Sequence, residues 1–361
     1  MSKLDELFDN INKSVKDTIC YHGIHRVQKV KIPLSSIRAN YMLYGGIPQG
    51  RAIQFFGEKS SGKTTTALDV VGNAQKMFAK ESEETGQPER KAVYIDAENT
   101  LDVDWAETLG VNTEKMEYIE PKEQSAEQIF DIIIKLVETR EVGIIVLDSV
   151  GVLLSKSAWE KDIDEQTMGG IAKPLTTFCG KVTPLLRKYN CTLLYINQIR
   201  DVIGSRFPMQ STPGGRALAH SLSLNLKFQR GAFIDEDYKE LPTKAENPAG
   251  NLVMISIEKS KVCRQDRRTG FYTLNYATGI DYLNDLFDLC MKYNLIEQRG
   301  PYYSLYKVNL ENGEVFPCMT EEGKELKFQG MSKMADYFRN NPDTIKYYTD
   351  TLMEMTKGDT K

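Results

Sequence analysis

The sequence lacks the features that mark secreted, membrane-spanning and zinc-binding proteins. It has no run of about twenty apolar residues, and Asp5 and Glu6 stand where a signal peptide would be apolar. We therefore expect a cytoplasmic protein that does not associate with membranes. The cysteines show no CxxC spacing, which indicates reduced thiols and neither a zinc site nor a disulfide framework. They are Cys20, Cys179, Cys191, Cys263, Cys290 and Cys318.

The sequence also lacks an excess of basic residues. Its formal net charge is −4, which argues against a surface coated in positive charge, so any nucleic-acid site must be local. Internal repeats and low-complexity tracts are missing as well. The 361 residues, of which 41% are hydrophobic, can bury a substantial core and fit one large domain with a smaller appendage.

The N-terminal segment predicts an amphipathic helix from Ser2 to about Val15. Apolar residues recur there at three- and four-residue spacing, and Ser2 and Asp5 form a capping pair at its start. The apolar face of this helix needs a partner elsewhere in the fold or on another subunit. We assign residues 1–32 to this helix and a linker, with a role in packing subunits together.

Residues 33–280 predict an α/β core with a mainly parallel twisted sheet flanked by helices, because apolar strand-like runs alternate with helical stretches. The first part of this core, between Pro33 and Gly50, is a helix flanked by turns, and the alternating runs follow it. The other predicted helices are Thr64–Glu81, Ser125–Thr139 and one that begins near Gly169 and that Pro184 should kink. The predicted strands are Ala52–Phe56, Ala92–Ile95, Ile144–Leu147, Thr192–Ile196, Leu222–Phe228, Leu252–Ile257 and Phe271–Tyr276.

Residues 281–361 predict a small α+β domain. The pattern there is a helix at Tyr282–Tyr293, a hairpin around Pro301–Val308 and a helix at Met331–Tyr348.

The segment from Gly57 to Thr64 matches the phosphate-binding pattern G-x-x-x-x-G-K-[ST], called the P-loop, between a buried strand and a helix. Its backbone N–H groups would wrap the phosphates of ATP, at which the helix points its positive end. Lys63 should reach the β- and γ-phosphates, and the Thr64 hydroxyl should bind Mg²⁺. The alternative is a chance glycine-rich turn, against which the strand, the helix and a second motif argue. The nucleotide contacts are assigned to Gly57, Glu58, Lys59, Ser60, Ser61, Gly62, Lys63, Thr64 and Thr65.

Two further predicted strands end in acidic residues. Asp148 follows a buried apolar strand, where a carboxylate would hold Mg²⁺ and its waters, although this pattern is common by itself. Glu98 lies just beyond the strand that ends at Ile95, so its carboxylate would sit near the γ-phosphate and could orient or deprotonate water. The alternative for Glu98 is a helix cap or an ion-pair partner.

The segment Asn197–Arg200 ends a strand and leads into a long loop, residues 201–213. A polar amide at the end of this strand can sense the γ-phosphate and pass that state to the loop behind it. Arg200, Arg206 and Phe207 offer the cations and the wedge that binding of single-stranded DNA requires. A mobile surface loop is the alternative.

Together these stretches resemble the bacterial RecA recombinase family, including its phage-borne relatives, from about Lys31 to about Tyr348. Their order and approximate spacing match as well. The combination is more specific than a P-loop, because few ATPases join it to both an Asp-Ala-Glu and an Asn-Gln-Ile-Arg segment. The matching stretches are Gly57–Thr65, Tyr94–Glu98, Val146–Val150, Ile196–Arg200 and Gly279-Ile280.

The resemblance implies roles for residues around the ATP. Glu98 would be the catalytic glutamate, and Gln198 would link the nucleotide state to the grip on DNA. Asp102 and Trp105 fall where the family contacts and stacks on adenine, with Trp105 in place of a tyrosine. Tyr276 is assigned to the nucleotide as well.

The resemblance also implies an active site shared between subunits. Lys259 and Lys261 match paired lysines that cross the subunit interface to the neighbour's γ-phosphate, so hydrolysis should depend on assembly. A Lys-x-Lys pattern by itself usually marks a solvated strand edge. The N-terminal helix matches the family's polymerisation helix.

The family's two DNA-binding loops correspond to about Trp159–Gly169 and Arg200–Pro213. Lys173 replaces an arginine that the family uses near DNA, and the first loop is acidic, which a phosphate backbone disfavours unless those side chains point away. The residues assigned to DNA are Met168, Gly169, Lys173, Arg200, Arg206, Phe207, Gly214 and Gly215.

The leading hypothesis is a DNA-dependent ATPase that polymerises on single-stranded DNA with ATP and Mg²⁺, pairs it with homologous duplex DNA and exchanges strands. Its expected partners are both DNAs, further copies in a helical homo-oligomer and, as additional candidates, single-strand-binding and loader proteins. One alternative is a ring-forming DNA motor such as a helicase, against which the N-terminal helix and Lys259 and Lys261 argue. The other is a nucleotide-switched regulatory protein, against which Glu98 argues together with the arginines and Phe207 of the second loop.

Overall fold

The computed structural model describes residues 2–15, 18, 20–21, 30–160, 170–201 and 210–358, and only the backbone at 200–201, 210–211 and 356–358. Residues 1–30 and 31–361 form two compact units. In the first unit, helix α1 (Lys3–Val15) starts at Ser2, whose hydroxyl accepts the Asp5 N–H while its own N–H donates to the Asp5 carboxylate. The predicted helix and its capping pair are confirmed, and the helix has no buried residue.

The second unit alternates strands and helices along most of its length. Its elements are β1 (Lys31–Ile32), α2 (Ile37–Met42), β2 (Ile47–Pro48), β3 (Ala52–Gly57), α3 (Lys63–Thr85), β4 (Lys91–Asp96), α4 (Val103–Thr108), β5 (Met116–Ile119), α5 (Ala126–Glu138), β6 (Val142–Asp148), α6 (Lys156–Trp159), α7 (Ala172–Lys188), β7 (Thr192–Gln198), β8 (Arg200–Asp201), β9 (Gln210–Ser211), α8 (Gly215–Ser221), β10 (Leu224–Ile234), β11 (Glu240–Leu241), β12 (Gly250–Ser260), β13 (Thr269–Asn275), β14 (Gly279–Ile280), α9 (Tyr282–Lys292), β15 (Ile296–Arg299), β16 (Tyr302–Val308), β17 (Val315–Pro317), β18 (Lys327–Gln329), α10 (Met331–Asn340) and α11 (Pro342–Gly358).

One large sheet organises this unit. Its strands follow the order β14-β13-β12-β10-β3-β7-β6-β4-β5, with β11 paired to β10. All neighbours from β10 to β5 are parallel, whereas β11, β12, β13 and β14 pair antiparallel. The predicted mainly parallel α/β sheet is therefore confirmed. Parallel strands are covered on both faces, and β6 is accordingly buried at every position.

Helices cover the two faces of the sheet. On one face, α3 packs Ala67, Val71 and Phe78 into a core cluster that includes Ala92 and Tyr94 of β4. On the other face, α5 and α7 form a second cluster, and it includes the alternate residues of the same strand. No helix in the described part of the chain is long and apolar enough to cross a membrane.

Several predicted elements differ in extent from the observed ones. The strand predicted at Leu222–Phe228 begins at Leu224 and runs on to Ile234, where it turns into a short hairpin with β11. The edge strand β5 was not predicted, because it has four residues, two of them exposed, and so carries too short a pattern. Helix α7 continues through Pro184 for its last turn, and Val182 and Leu186 on either side are buried.

The C-terminal prediction of one helix over Met331–Tyr348 was wrong. The structure has two helices, α10 and α11, separated at Asn341. Pro342 is the first residue of α11, a position where the missing N–H of proline costs nothing. The predicted hairpin is confirmed as part of a four-stranded sheet of β15, β16, β17 and β18.

A buried carboxylate joins α9 to the start of α2. The hydroxyl of Ser36, which also caps α2, donates to Asp285, and Arg38 forms an ion pair with Asp288. Asp285 is fully buried. Burial raises its pKa to about 8, although the Ser36 hydrogen bond and the charge of Arg38 act in the opposite direction.

Replacing Asp285 by Asn is expected to flatten the loss of stability between pH 7 and 8. A carboxyl with a raised pKa stabilises the fold while it is protonated, and this contribution is lost as pH rises from 3.8 through about 8. The slope from one such group is just below about 1.4 kcal/mol per pH unit at pH 7 and falls to about half of that at its pKa. Urea unfolding at pH 7.0, 7.5 and 8.0 measures it.

Above pH 7 the titration of Asp285 dominates over those of Asp69 and Asp148, because the raised pKa values of the latter two are both about 6. Asp336→Asn, at an exposed position paired with Arg339, serves as the control and should keep the parent slope. An Asp285→Asn slope equal to that of the parent would contradict this account of the buried carboxyl.

Candidate nucleotide-binding site

The predicted P-loop joins the end of β3 to the start of α3. Gly62 has a φ of 92° and caps α3, and Ser60 has a φ of 58°, so the loop turns through left-handed backbone twice. A Cβ at Gly57 would lie 2.2 Å from the Phe228 carbonyl oxygen, so only glycine fits there. The loop therefore has the tight strand-to-helix geometry that a phosphate cradle requires.

Lys63 is held by its own loop. Its Nζ donates to the carbonyl oxygens of Gly57 at 3.2 Å and Glu58 at 2.5 Å, and to the Ser61 hydroxyl at 3.3 Å. Burial lowers the pKa of Lys63, while the charges of Asp148, Glu98 and Glu58 act to raise it. The Lys63 amine thus lies inside the loop, close enough to Asp148, Glu98 and Glu58 to feel their charges.

Thr64 and Asp148 meet at the start of α3. The Thr64 hydroxyl donates to Asp148 Oδ2 at 2.9 Å, and the Tyr94 hydroxyl donates to the same oxygen at 2.8 Å. Burial raises the pKa of Asp148 to about 6, against the lowering effect of these two hydrogen bonds. A hydroxyl and a carboxylate in contact beside the P-loop are the oxygen donors that Mg²⁺ takes in such sites, so Thr64 and Asp148 fit that ion.

Glu98 lies next to this carboxylate. The N–H groups of Ala97 and Glu98 both donate to the carbonyl oxygen of Asp148, at 2.6 and 3.3 Å. Glu98 Oε1 accepts hydrogen bonds from the Ser149 hydroxyl and from Gln198 Nε2, the latter at 3.1 Å. The structure therefore gathers the ends of β3, β4, β6 and β7 into one cluster, as expected for neighbouring parallel strands.

The residues assigned to the adenine lie at the side of this cluster. Asp102 accepts the Trp105 backbone N–H at 3.0 Å and so caps α4, while the Trp105 indole N–H donates to the Thr65 hydroxyl at 3.4 Å. Trp105 is therefore next to the P-loop. Tyr276 follows β13, and its hydroxyl donates to Asn251 at 2.8 Å, with no described contact to Trp105.

The paired lysines lie apart from the cluster. Lys259 Nζ donates to the carbonyl oxygens of Ala219 and His220, and Lys261 Nζ donates to that of His220 at 3.0 Å. Both amines thus cap the C-terminal end of α8, where positive charge is favourable. Burial lowers the pKa of Lys259, and the nearby charge of Lys261 lowers it further.

The residues assigned to DNA are described only in part. Met168, Gly169, Arg206 and Phe207 lie outside the described residues, and only the backbone of Arg200, in β8, is described. Lys173 is exposed in the first turn of α7. Gly214 and Gly215 have φ values of 102° and 63° and begin α8, so the end of the second loop leads directly into the helix that the paired lysines cap.

Sequence reasoning missed the two side chains that hold the acids. Ser149 lies next to Asp148 in a matching stretch, and Tyr94 lies in another, but neither was given a role. A signal for Tyr94 does exist: it pairs with Val146, so Asp148 is two residues further on the same face of the sheet. That signal requires the register of β4 on β6, which a sequence alone does not supply.

The chain is similar to known proteins over most of its length. A sequence model described as the RecA N-terminal domain matches residues 2–281. A Protein RecA from Wolbachia pipientis subsp. Culex pipiens (strain wPip) is 34% identical over 348 residues, which cover 95% of this chain and 92% of the relative. Another from Ehrlichia ruminantium (strain Gardel) is 33% identical, covering 88% and 79%, and one from Mycoplasma mycoides is 32% identical, covering 76% and 73%. With this similarity over most of its length, the chain belongs to the RecA family.

Proposed function

We propose that this chain is an ATP-dependent DNA recombinase. It forms a helical filament on single-stranded DNA with ATP and Mg²⁺, pairs that strand with homologous duplex DNA and exchanges strands. The observation that carries the proposal is the hydrogen bond from Gln198 to Glu98, because Gln198 ends the strand from which the second loop departs. A group beside the γ-phosphate site is thereby linked to a loop assigned to DNA.

The P-loop binds the nucleotide through its backbone and Lys63. Lys63 exchanges the Gly57 and Glu58 carbonyl oxygens for the β- and γ-phosphates. Mg²⁺, when bound, offsets the negative charge of these phosphates, and Thr64 and Asp148 would hold it. The half-buried Trp105 indole stacks on the adenine. Asp102 and Tyr276 are the further base contacts proposed.

Glu98 orients or deprotonates the attacking water. In the structure its Oε1 accepts two hydrogen bonds, which occupy both lone pairs of that oxygen, so it has none left to accept a proton from the water. A rearrangement of the second loop on DNA would draw Gln198 away and leave Ser149 as the partner of Glu98. DNA would in this way stimulate hydrolysis, and the state of the nucleotide would in turn act on the loop.

The active site is completed by a neighbouring subunit. Lys259 and Lys261 contact the end of α8 and make no contact with Glu98, Asp148 or the P-loop among the described residues. We assign both amines to the γ-phosphate of the next subunit in the filament. Because α8 begins at Gly214-Gly215, directly after the second loop, DNA binding can also shift these lysines.

The division of labour along the chain follows from these assignments. Residues 1–32 pack subunits together, residues 33–280 form the ATPase core, and residues 281–361 form the small C-terminal domain. Within the core, Met168 and Gly169 of the first loop, Lys173 just after it, and Arg200 and Arg206 of the second loop hold the DNA backbone. Phe207 of the second loop is the wedge. Single-strand-binding and loader proteins are further candidate partners.

Replacing Glu98 by Gln is expected to lower the DNA-stimulated ATPase rate about 100-fold or more, because a general base contributes that much to catalysis. The amide keeps the size of the side chain, so nucleotide affinity and DNA binding should change little. Steady-state hydrolysis with and without single-stranded DNA measures the rate. A variant that hydrolyses ATP at the parental rate would rule out Glu98 as the catalytic carboxylate, and a parent that single-stranded DNA does not stimulate would contradict the recombinase proposal.

Mixing two inactive variants tests the composite site. Glu98→Gln keeps the lysines, and the double variant Lys259→Ala/Lys261→Ala keeps Glu98, so each alone should be inactive. In a head-to-tail filament of equal amounts of the two variants, about one quarter of the interfaces contain both Glu98 and the lysines. The ATPase rate should therefore recover to about one quarter of the parental rate. Lys239→Ala, on an exposed lysine paired with Asp237, is the control and should be active alone. Failure of the mixture to exceed its components would argue that the lysines act within their own subunit or only as a helix cap.

A further inference from the structure

Tyr94 places a polar hydroxyl in the interior of the sheet. The side chain is 1% exposed and belongs to the core cluster beneath α3. A buried tyrosine hydroxyl needs a hydrogen-bond partner, and this one donates to Asp148 Oδ2 at 2.8 Å. The partner is the carboxylate that Thr64 also contacts, at 2.9 Å.

The strand register makes this contact specific. Tyr94 pairs with Val146 across β4 and β6, and Asp148 lies two residues beyond Val146 on the face that α3 covers. The aromatic ring spans the diagonal between them. Asp148 Oδ2 is thus approached from the sheet by a side chain locked in the core and from α3 by the Thr64 hydroxyl.

We propose that Tyr94 is a positioning residue for Mg²⁺: it fixes the Asp148 carboxylate in the orientation in which that group holds the ion. This inference rests on the nucleotide site proposed above. The Thr64 hydroxyl has one proton and two lone pairs, so it can donate to Asp148 and still offer an oxygen to the metal. Tyr94 keeps the carboxylate in place while the metal binds, since its ring is enclosed by the core. Mutation of a residue that orients a metal ligand in this way commonly lowers metal affinity by about 10- to 100-fold.

Tyr94→Phe tests the inference, because it removes the hydroxyl and keeps the ring that packs in the core. The readout is binding of a fluorescent ATP analogue, titrated with Mg²⁺ at fixed nucleotide and also measured in EDTA. We expect the Mg²⁺ midpoint to rise about 10-fold or more, with affinity in EDTA close to that of the parent. A role in packing alone would alter both conditions together.

Tyr195→Phe is the matched control. Tyr195 is also fully buried and pairs with Leu147 from the neighbouring strand β7, but its hydroxyl has no hydrogen-bond partner in the described part of the chain and so makes none with Asp148. This variant should keep the parental Mg²⁺ midpoint. Thermal unfolding of both variants sets a temperature at which each is folded for the titration.

A double-mutant cycle with Asp148→Asn decides whether Tyr94 acts through that carboxylate. If it does, Tyr94→Phe should add no further change to the Mg²⁺ midpoint in the Asp148→Asn background. A Tyr94→Phe midpoint equal to that of the parent and of Tyr195→Phe would overturn the inference, and so would an additive effect in the cycle. A parent that binds the analogue without any response to Mg²⁺ would instead contradict the proposed nucleotide site itself, and the inference with it.

Discussion

A parallel sheet covered by helices on both faces gives polar side chains one place to gather, the edge at which its strands end. In this protein the strands are mostly apolar and buried, and the acids, the amide and the glycine-rich loop lie at or just beyond their last residues. The register puts Gly57 level with Gln198 and Asp96 level with Asp148. The proximity of the P-loop, Asp148 and Glu98 follows from this single arrangement.

Hydrogen bonds within the chain hold the cluster at that edge together. Lys63 is bound by loop carbonyls, Thr64 by Asp148, and Glu98 by Ser149 and Gln198. In the proposed function Lys63 and Glu98 exchange a partner in the protein for a phosphate or a water, while the backbone that positions them stays fixed. Preorganised groups of this kind cost little to reorient at the moment of reaction. In the same proposed function, Lys259 and Lys261 at the end of α8 complete the cluster of the neighbouring subunit.

Much of the fold and part of the site could be predicted from the sequence. The strand before Gly57 and the strand ending at Asp148 were evident because buried parallel strands are continuous apolar runs. The break at Asn341 was not, since the helical pattern continues on both sides of it. The contacts of Tyr94 and Ser149 with the two acids could not be predicted either, because they depend on the register between strands and on side-chain direction. The residues assigned to the DNA loops remain predictions.

The central claim is that this chain assembles on DNA with a nucleotide between its subunits. Electron microscopy of the protein on long single-stranded DNA, with Mg²⁺ and a non-hydrolysable ATP analogue, tests that claim most directly. The account predicts continuous helical filaments with the analogue and none in its absence. Closed rings, or bare DNA under the same conditions, would contradict it.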